Sequence, residues 1–187
     1  IISAQDRAIA AARTAKYSVL LPKNKADVKT ENGRTLSKII GVNPVHIRPA
    51  QAADIDQLCA IEQSCFNTDR ISRRSFSRFI KRDNHSALLV AVADQGQIAG
   101  YGLNLYRENI SLARLYSIAC APDYRGQSVG ELLIQALEAD AIERACAYWR
   151  LEVREDATKV AAWYQALGFK QRGLSPGYYE DGCSALK

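Results

Sequence analysis

The chain has 187 residues, of which 48% are apolar and 24% are charged, and a formal net charge of +5. This composition is typical of one globular domain with a sizeable core, and no apolar run approaches the roughly 20 residues that span a bilayer. Five scattered cysteines without C-x-x-C spacing and two isolated histidines indicate neither a disulfide framework nor a metal site, and the mild, dispersed charge does not indicate direct binding to nucleic acid.

Residues 1–44 differ from the rest and are predicted to be an N-terminal extension or linker. The segment Ile1–Lys16 has the composition of a helix, but its charged residues interrupt any signal-peptide core, and we therefore expect a cytoplasmic protein. The polar segment 22–38 contains the turn signal Asn32-Gly33. The compact domain is predicted to cover residues 45–187 and to begin with a short strand that ends at Pro49.

Two helices are predicted next. Asp54 precedes apolar residues at helical spacing and is a candidate N-cap, and Ser72 precedes a second helix in which Phe76, Phe79 and Ile80 are apolar. The second helix is also strongly basic, with Arg73, Arg74, Arg78, Lys81 and Arg82. A solvated face is the first interpretation of these charges, and attraction of an acidic substrate is the alternative.

The remaining elements follow as strands and two helices. Residues 87–92 and 98–106 have the pattern of a hairpin, and 111–120 is a further strand. Apolar spacing then predicts a helix from Val129, a strand over 148–153, a helix over 158–167 that ends at Gly168, and last strands over 169–172 and 178–186. This order predicts an α/β (α+β) fold with a mixed sheet flanked by helices.

The loop between the strand 111–120 and the next helix carries Arg125, Gly126 and Gly130. Backbone amides at a helix start, the positive end of the helix dipole and a nearby arginine are the components of an anion site. The loop has neither the Gly-Lys-Ser/Thr of a P-loop nor the G-x-G-x-x-G of a dinucleotide fold. Taken by itself, a loop of this kind is more often an ordinary strand-to-helix turn with a solvated arginine.

The element order and several segments together resemble the GNAT acetyltransferase superfamily, and within it most closely the ribosomal-protein-alanine N-acetyltransferases. The segments are Ile61-Glu62-Gln63, Ile118-Ala119, 125–130, 151–154, 164–169 and Tyr178-Tyr179. The resemblance covers roughly residues 45–187. It implies a mostly antiparallel sheet of about six or seven strands, about four helices, and acetyl-CoA as the acyl donor.

The resemblance also implies which residues bind the cofactor. The backbone of the strand end would bind the pantetheine arm, beside a bulge near Ala119, and the loop amides would hold the pyrophosphate. The expected cofactor-binding residues are Ile118, Ala119, Cys120, Arg125, Gly126, Gln127, Ser128, Val129, Gly130 and Glu131. Two positions depart from the family pattern. Ser128 replaces a glycine and is expected to have a negative φ, and Ala157 replaces an asparagine that bonds pantetheine.

Two residues match the family's catalytic positions. Glu152 is predicted to lie inside a strand and would act as general base, whereas a salt bridge to Arg150 or Arg154 is the structural alternative. Tyr164 would protonate the leaving thiolate, and its alternative role is aromatic packing. Direct transfer in a ternary complex is the favoured mechanism, because Cys120 lies in an apolar strand and is expected to be a packed thiol.

The acceptor is expected to be a primary amine, and the first interpretation is the N-terminal α-amine of a protein or peptide. Phe66, Tyr178 and Tyr179 are the candidate acceptor-binding residues, although the segment 65–70 departs from the family pattern. A small-amine acetyltransferase, acting on a polyamine, amino acid or antibiotic, and a non-catalytic acyl-CoA-binding domain remain as alternatives. The oligomeric state is left open.

Overall fold

The structure is a computed structural model that describes residues 19–20, 45–81 and 84–187. The predicted helix over Ile1–Lys16 and the turn at Asn32-Gly33 lie outside these residues, and the boundary at residue 45 stays a prediction. In the described part of the chain there are four α-helices, α1 (Ile55–Cys65), α2 (Arg73–Ile80), α3 (Val129–Glu143) and α4 (Thr158–Ala166).

The strands form a six-stranded and a three-stranded sheet. In chain order they are β1 (Val19–Leu20), β2 (His46–Pro49), β3 (Ser86–Val92), β4 (Ile98–Leu105), β5 (Leu112–Cys120), β6 (Tyr148–Leu151), β7 (Val153–Arg154), β8 (Leu174–Ser175) and β9 (Ala185–Leu186). The prediction of a mixed, mostly antiparallel sheet with about four helices is confirmed. The chain divides into a first unit, Leu20–Trp149, and a second unit that includes Arg150–Lys187.

Strands β2 to β5 form an antiparallel sheet in the first unit. Tyr101 of β4 pairs with Val90 of β3 on one side and with Ala119 of β5 on the other. Both faces of this sheet are covered, and β3 and β4 are accordingly apolar along nearly their whole length. Alternate residues of β3 therefore face two different layers of the core.

One face of the sheet packs against α1 and α2. Leu58 and Phe76 from these helices join Val90, Tyr101 and Leu103 in one core cluster, and the rings of Phe76 and Tyr101 meet edge to face at 5.5 Å. The other face packs against α3, where Val129 and Leu133 contact the small residues Ala91 and Ala99. The loop 125–130, in which a cofactor site is predicted, leads directly into α3 on this face of the sheet.

The pairing of β4 with β5 contains a bulge. Leu103 pairs with Ser117 and Asn104 pairs with Leu115, so that Tyr116 is the extra residue on β5. The bulge was predicted near Ala119, but Ala119 is in regular register with Tyr101. A bulge leaves one residue unpaired and increases the local twist of its strand. The alternation of side chains between the two faces of β5 is therefore interrupted at Tyr116.

The N-termini of α1 and α2 differ in their capping. Ser72 caps α2 as predicted, because its hydroxyl accepts from the Ser75 amide at 3.2 Å. Asp54 precedes α1 but makes no cap bond to it. Its carboxylate instead receives two hydrogen bonds from Arg48, at 2.7 and 2.8 Å, and one from the Gln51 amide. These bonds fix the chain as it leaves β2.

In the second unit, β9 pairs antiparallel with both β7 and β8. Helix α4 ends as predicted, since Gly168 has a φ of 93° and its amide donates to the Gln165 carbonyl at 3.0 Å. The predicted strand over 169–172 is wrong, because the strand that follows α4 is Leu174–Ser175. The predicted strand over 178–186 is reduced to Ala185–Leu186, so Tyr178 and Tyr179 lie in the connection between β8 and β9. No helix among the described residues is both long and apolar enough to cross a membrane.

Candidate active site

The connection from β5 to α3 turns sharply at two residues with a left-handed backbone. After the short turn Pro122–Tyr124, Gly126 has a φ of 73° and Ser128 a φ of 57°. The expected negative φ at Ser128 is therefore wrong. The chain enters α3 at Val129 through this left-handed residue. A glycine would adopt the conformation without steric cost, whereas the Cβ of serine makes it less favourable.

The start of α3 presents its backbone amides. The Leu132 amide donates to the Ser128 carbonyl at 3.1 Å, which closes the first turn of α3. The amides of the first turn of an α-helix point along its axis towards the N-terminus, and here Val129, Gly130 and Glu131 carry this positive end of the helix dipole. Arg125 is exposed three residues before Ser128, and Gln127 Nε2 bonds the Asp123 carbonyl at 2.8 Å. The loop thus has the components of an anion cradle.

Two glycines of β4 allow α3 to lie close to the sheet. A Cβ on Gly100 would lie 2.7 Å from the Ala119 carbonyl oxygen and 3.2 Å from Val129 Cγ1, and one on Gly102 would lie 2.5 Å from Leu137 Cδ1. Any larger residue at Gly100 would displace the end of β5 or the start of α3. These glycines therefore allow α3, and at Gly100 also the end of β5, to approach β4 closely, a role that the sequence did not reveal.

The end of α1 also meets this loop. Cys65 Sγ donates to the Cys120 carbonyl at 3.3 Å, and Arg125 Nη2 donates to Cys65 Sγ at 3.4 Å. Phe66 follows directly, is half-buried, and accepts from Arg70 Nε at its carbonyl. Burial and the neighbouring Cys65 raise the pKa of the Cys120 thiol to about 11. Cys120 is therefore protonated at neutral pH, as expected for a packed thiol.

A buried polar chain reaches β5 from α1. Glu62, 2% exposed, accepts from the Ile71 amide at 2.9 Å and from the Tyr101 hydroxyl, and that hydroxyl lies 2.9 Å from Ser117 Oγ. Burial raises the pKa of Glu62, although both hydrogen bonds favour its charged form, and raises the pKa of Tyr101 as well. Ser117 precedes the predicted cofactor-binding residue Ile118, so this series of hydrogen bonds ends beside the candidate site.

Glu152 lies in the second unit, in a break between β6 and β7. The prediction that it lies inside a continuous strand is wrong, because the regular pairing stops at Leu151 and resumes at Val153. Trp149, Leu151 and Val153 are buried as the alternation predicted, and Glu152 is half-buried.

Tyr164 packs within an aromatic group of the second unit. Its ring lies 4.9 Å from that of Trp163 and 5.5 Å from that of Phe169, and the residue is 6% exposed. The Phe169 amide donates to the Tyr164 carbonyl at 3.0 Å, which continues the turn after α4. The packing role considered from the sequence is therefore present, and a role for the hydroxyl stays a prediction.

The two predicted acceptor tyrosines contact each other, and one of them contacts Arg154. The rings of Tyr178 and Tyr179 meet at 5.0 Å, and the Arg154 guanidinium lies 4.9 Å above the centre of the Tyr179 ring. Arg154 also pairs with Asp156 and Asp181 at 2.9 Å each. The structure thus brings Tyr179 to the strand that follows Glu152. The Asp156 carboxylate, which directly precedes Ala157, is held by this pairing with Arg154.

Comparison with known proteins gives consistent results. A model of the acetyltransferase (GNAT) domain matches residues 49–187. A Bacillus subtilis protein provisionally named as a ribosomal protein bS18-alanine N-acetyltransferase is 31% identical over 136 residues, which are 72% of this chain and 87% of that protein.

Solved structures share the fold. Ard1 from Thermoplasma volcanium superposes with a TM-score of 0.69 at 23% identity, over 76% of this chain and 93% of that one. The PaiA N-acetyltransferase from Thermoplasma acidophilum, solved in complex with coenzyme A, gives a TM-score of 0.64 at 16% identity, over 76% of this chain and 97% of that one. The similarity therefore extends well beyond the loop 125–130.

Proposed function

The chain belongs to the GNAT acetyltransferase family and is an N-acetyltransferase, and we propose that it transfers the acetyl group of acetyl-CoA to the N-terminal α-amine of a protein or peptide. The resemblance to ribosomal-protein-alanine N-acetyltransferases is confirmed by the relative described above. The observation that supports cofactor binding most directly is the left-handed turn at Gly126 and Ser128, which leads into the start of α3 beside Arg125.

The residues of this loop fit a pyrophosphate. A Cβ built on Gly126 meets no atom within 4 Å, so the backbone there is open to close approach by a ligand. The amides from Arg125 to Glu131 would hold the phosphates, and the backbone of Ile118, Ala119 and Cys120 would bind the pantetheine arm. The cofactor supplies the acetyl thioester.

The catalytic roles remain those expected from the sequence. The Glu152 carboxylate would remove a proton from the acceptor ammonium, directly or through a water, and the Tyr164 hydroxyl would give its proton to the departing sulfur. Phe66, Tyr178 and Tyr179 would border the acceptor. The raised pKa of Cys120 supports direct transfer, because a protonated thiol is a poor nucleophile for an acyl-enzyme step.

The test is thiol release from acetyl-CoA with peptides that have free N-termini, with spermidine, with free amino acids and with an aminoglycoside. We expect turnover with at least one peptide, a mass increase of one acetyl group at its first residue, and no thiol release with the same peptide blocked at its N-terminus. Turnover with small amines alone would refute the peptide acceptor. Binding of CoA without turnover on any amine would instead indicate an acyl-CoA-binding domain.

A further inference from the structure

The series of hydrogen bonds from Glu62 through Tyr101 to Ser117 has a direction, and the Glu62 carboxylate sets it. An ionised carboxylate only accepts, and Glu62 accepts at Oε1 from the Tyr101 hydroxyl and at Oε2 from the Ile71 amide. A tyrosine hydroxyl has a single proton, and that of Tyr101 is used in this bond. The 2.9 Å bond between Tyr101 and Ser117 is therefore donated by Ser117 Oγ.

Ser117 consequently presents the lone pairs of its oxygen to a ligand. Its proton is held by Tyr101, and within the described part of the chain its Oγ makes no other hydrogen bond. Ser117 is half-buried, whereas Tyr101 is completely buried, so the series reaches the surface of the first unit at Ser117. Hydrogen bonds that lead to a carboxylate polarise one another, which makes the outer oxygen a stronger acceptor. Ser117 Oγ is therefore suited to a donor, and best to a cationic one.

The place of Ser117 on β5 relates it to acetyl transfer, provided that the proposed function is correct. The loop 125–130 follows the C-terminal end of β5, and the proposed pantetheine-binding residues 118–120 are the last of the strand. The arm would thus run back along β5, with its acyl end at Ser117. Ser117 pairs with Leu103 and shares its face of the sheet, and the candidate acceptor residue Phe66 packs against the core cluster on that same face.

We propose that Ser117 Oγ accepts a hydrogen bond from the α-ammonium group of the acceptor, and that Tyr101 and Glu62 are positioning residues that keep Ser117 in the accepting orientation. This inference rests on the proposed function and adds a residue to its acceptor site. When the ammonium gives its proton to the base proposed above, the neutral amine still carries N–H groups. The bond to Ser117 therefore persists while the nitrogen lone pair becomes free to attack the thioester carbon.

The direction of these bonds disfavours the other groups of the reaction as partners of Ser117. The thioester carbonyl and the phosphates of the cofactor only accept hydrogen bonds, and they would meet the lone pairs of an oxygen whose proton is already held. The pantetheine amides can donate, but the backbone of residues 118–120 is expected to bind them. The ammonium group is the remaining donor, and its positive charge strengthens the bond.

The orientation of Ser117 depends on the charge of Glu62. The bonds from Tyr101 and Ile71 and the nearby charge of Arg70 favour the carboxylate, whereas burial opposes it and raises the pKa of Glu62. Glu62→Gln keeps the size of the side chain and replaces one acceptor by a donor. Because the Ile71 amide requires the glutamine oxygen, the NH₂ group faces Tyr101 and donates to it. Tyr101 would then donate to Ser117, and the direction of the series would be reversed.

The test compares a hexapeptide that begins with alanine with its des-amino analogue, in which a propionyl group replaces the alanine. Isothermal titration of the full chain with CoA present measures both affinities at about pH 7, above the usual pKa of glutamate and below that of an α-amine. We expect tighter binding of the amine. Ser117→Ala and Glu62→Gln should each reduce the ratio of the two affinities by about tenfold, through weaker binding of the amine alone. Ser117→Thr should preserve the ratio, because threonine keeps the hydroxyl.

Tyr106→Phe is the matched control for Tyr101→Phe. Like Tyr101, Tyr106 is a buried tyrosine of the first unit whose hydroxyl donates to a carboxylate, here that of Asp140 on α3. Both variants lose a buried hydroxyl, and thermal unfolding compares how much each is destabilised. Tyr101→Phe should lower the ratio of the two affinities, whereas Tyr106→Phe should leave it unchanged.

Steady-state kinetics with acetyl-CoA provides a second readout. Ser117→Ala should raise KM for a peptide that is turned over by about tenfold and change kcat by less than about threefold, because the bond is already made to the ammonium in the ground state. A loss of stability without a role in binding would not produce this division between KM and kcat.

The outcomes separate this inference from the proposed function. Equal binding of the two peptides by the wild type, or an unchanged ratio in Ser117→Ala or Glu62→Gln, would overturn the role of Ser117 and leave the peptide acetyltransferase intact. Absence of thiol release with every peptide, together with binding of the amine that depends on Ser117, would overturn the proposed transfer alone. Thiol release with small amines only, with a KM raised by Ser117→Ala, would support the ammonium site and refute the peptide acceptor.

Discussion

The hydroxyl of Tyr101 on β4 donates a hydrogen bond to the carboxylate of Glu62 on α1, and both groups are buried in the first unit. The pKa of Glu62 is raised by this burial, so at intermediate pH the folded protein holds a proton that the unfolded chain, with a pKa near 4.3, has already released. The stability that this carboxyl contributes is therefore complete below the unfolded pKa and is lost as pH rises through the folded pKa.

Replacing Glu62 with glutamine removes this titration. We expect the difference in unfolding free energy, wild type minus Glu62→Gln, to fall as pH rises from about 4 to about 8. Urea unfolding of both proteins at several pH values measures it, and other titrating groups cancel in the difference. If this difference in unfolding free energy stayed constant or increased with pH, the pKa of the Glu62 carboxyl would not be raised in the folded protein.

Gly100→Ala should destabilise the first unit by about 1–3 kcal/mol, because the new Cβ would meet the Ala119 carbonyl oxygen at 2.7 Å. CoA affinity should fall as well, since the atoms displaced belong to Ala119, Cys120 and Val129. Gly173→Ala is the control, because a Cβ there meets nothing within 4 Å, and it should change stability by less than about 0.5 kcal/mol. Chemical unfolding and isothermal titration with CoA measure the two effects.

The positive φ of Ser128 predicts the effects of two substitutions in opposite directions. Ser128→Gly should stabilise the protein by up to about 1 kcal/mol, because relief of the left-handed strain exceeds the added freedom of the unfolded chain. Ser128→Val should destabilise it by about 1–2 kcal/mol and weaken CoA binding, since a β-branched residue opposes this conformation more strongly. If glycine destabilised the protein instead, the backbone at this position would have a negative φ in solution.

Glu152→Gln should lower kcat by about 10²–10⁴ if Glu152 is the general base. The pH–rate profile should change shape, and CoA affinity should stay nearly the same, because glutamine has almost the same size and cannot take up the proton. Stopped-flow thiol release across a pH series measures the profile. A profile identical to that of the wild type would exclude Glu152 as the base.

Tyr164→Phe distinguishes the two roles considered for this residue. The ring can keep its contacts with Trp163 and Phe169, so the melting temperature should change little, whereas loss of the proton donor should lower kcat by about 10²-fold. Thermal unfolding and steady-state rates on the same samples measure both quantities. A normal rate with normal stability would leave Tyr164 as a packing residue only.

The elements predicted from local sequence patterns agree with the structure where one segment determines the outcome. The Ser72 cap, the start of α3 at Val129 and the end of α4 before Gly168 each depend on a few neighbouring residues. The arrangement of β5, the loop and α3 was predicted for the same reason.

The errors and omissions depend on tertiary contacts. Whether Ser128 has a negative or positive φ depends on how α3 packs on the sheet, and the break at Glu152 depends on strand pairing. The series of hydrogen bonds from Glu62 through Tyr101 to Ser117 joins residues that are up to 55 positions apart in the sequence. An isolated glutamate on a helix carries no signal of such partners. A small residue at Gly100 on an otherwise apolar strand was the one available indication of close packing.

The close packing at Gly100 also bears on how the loop 125–130 can change during evolution. Because the end of β5 and the start of α3 are both positioned by contacts with β4, the intervening loop does not have to fix the helix by its own sequence. Substitutions in the loop then alter local strain or affinity without moving the framework. This division of roles explains how the loop accommodates a serine with a left-handed backbone at Ser128 while α3 keeps its place on the sheet.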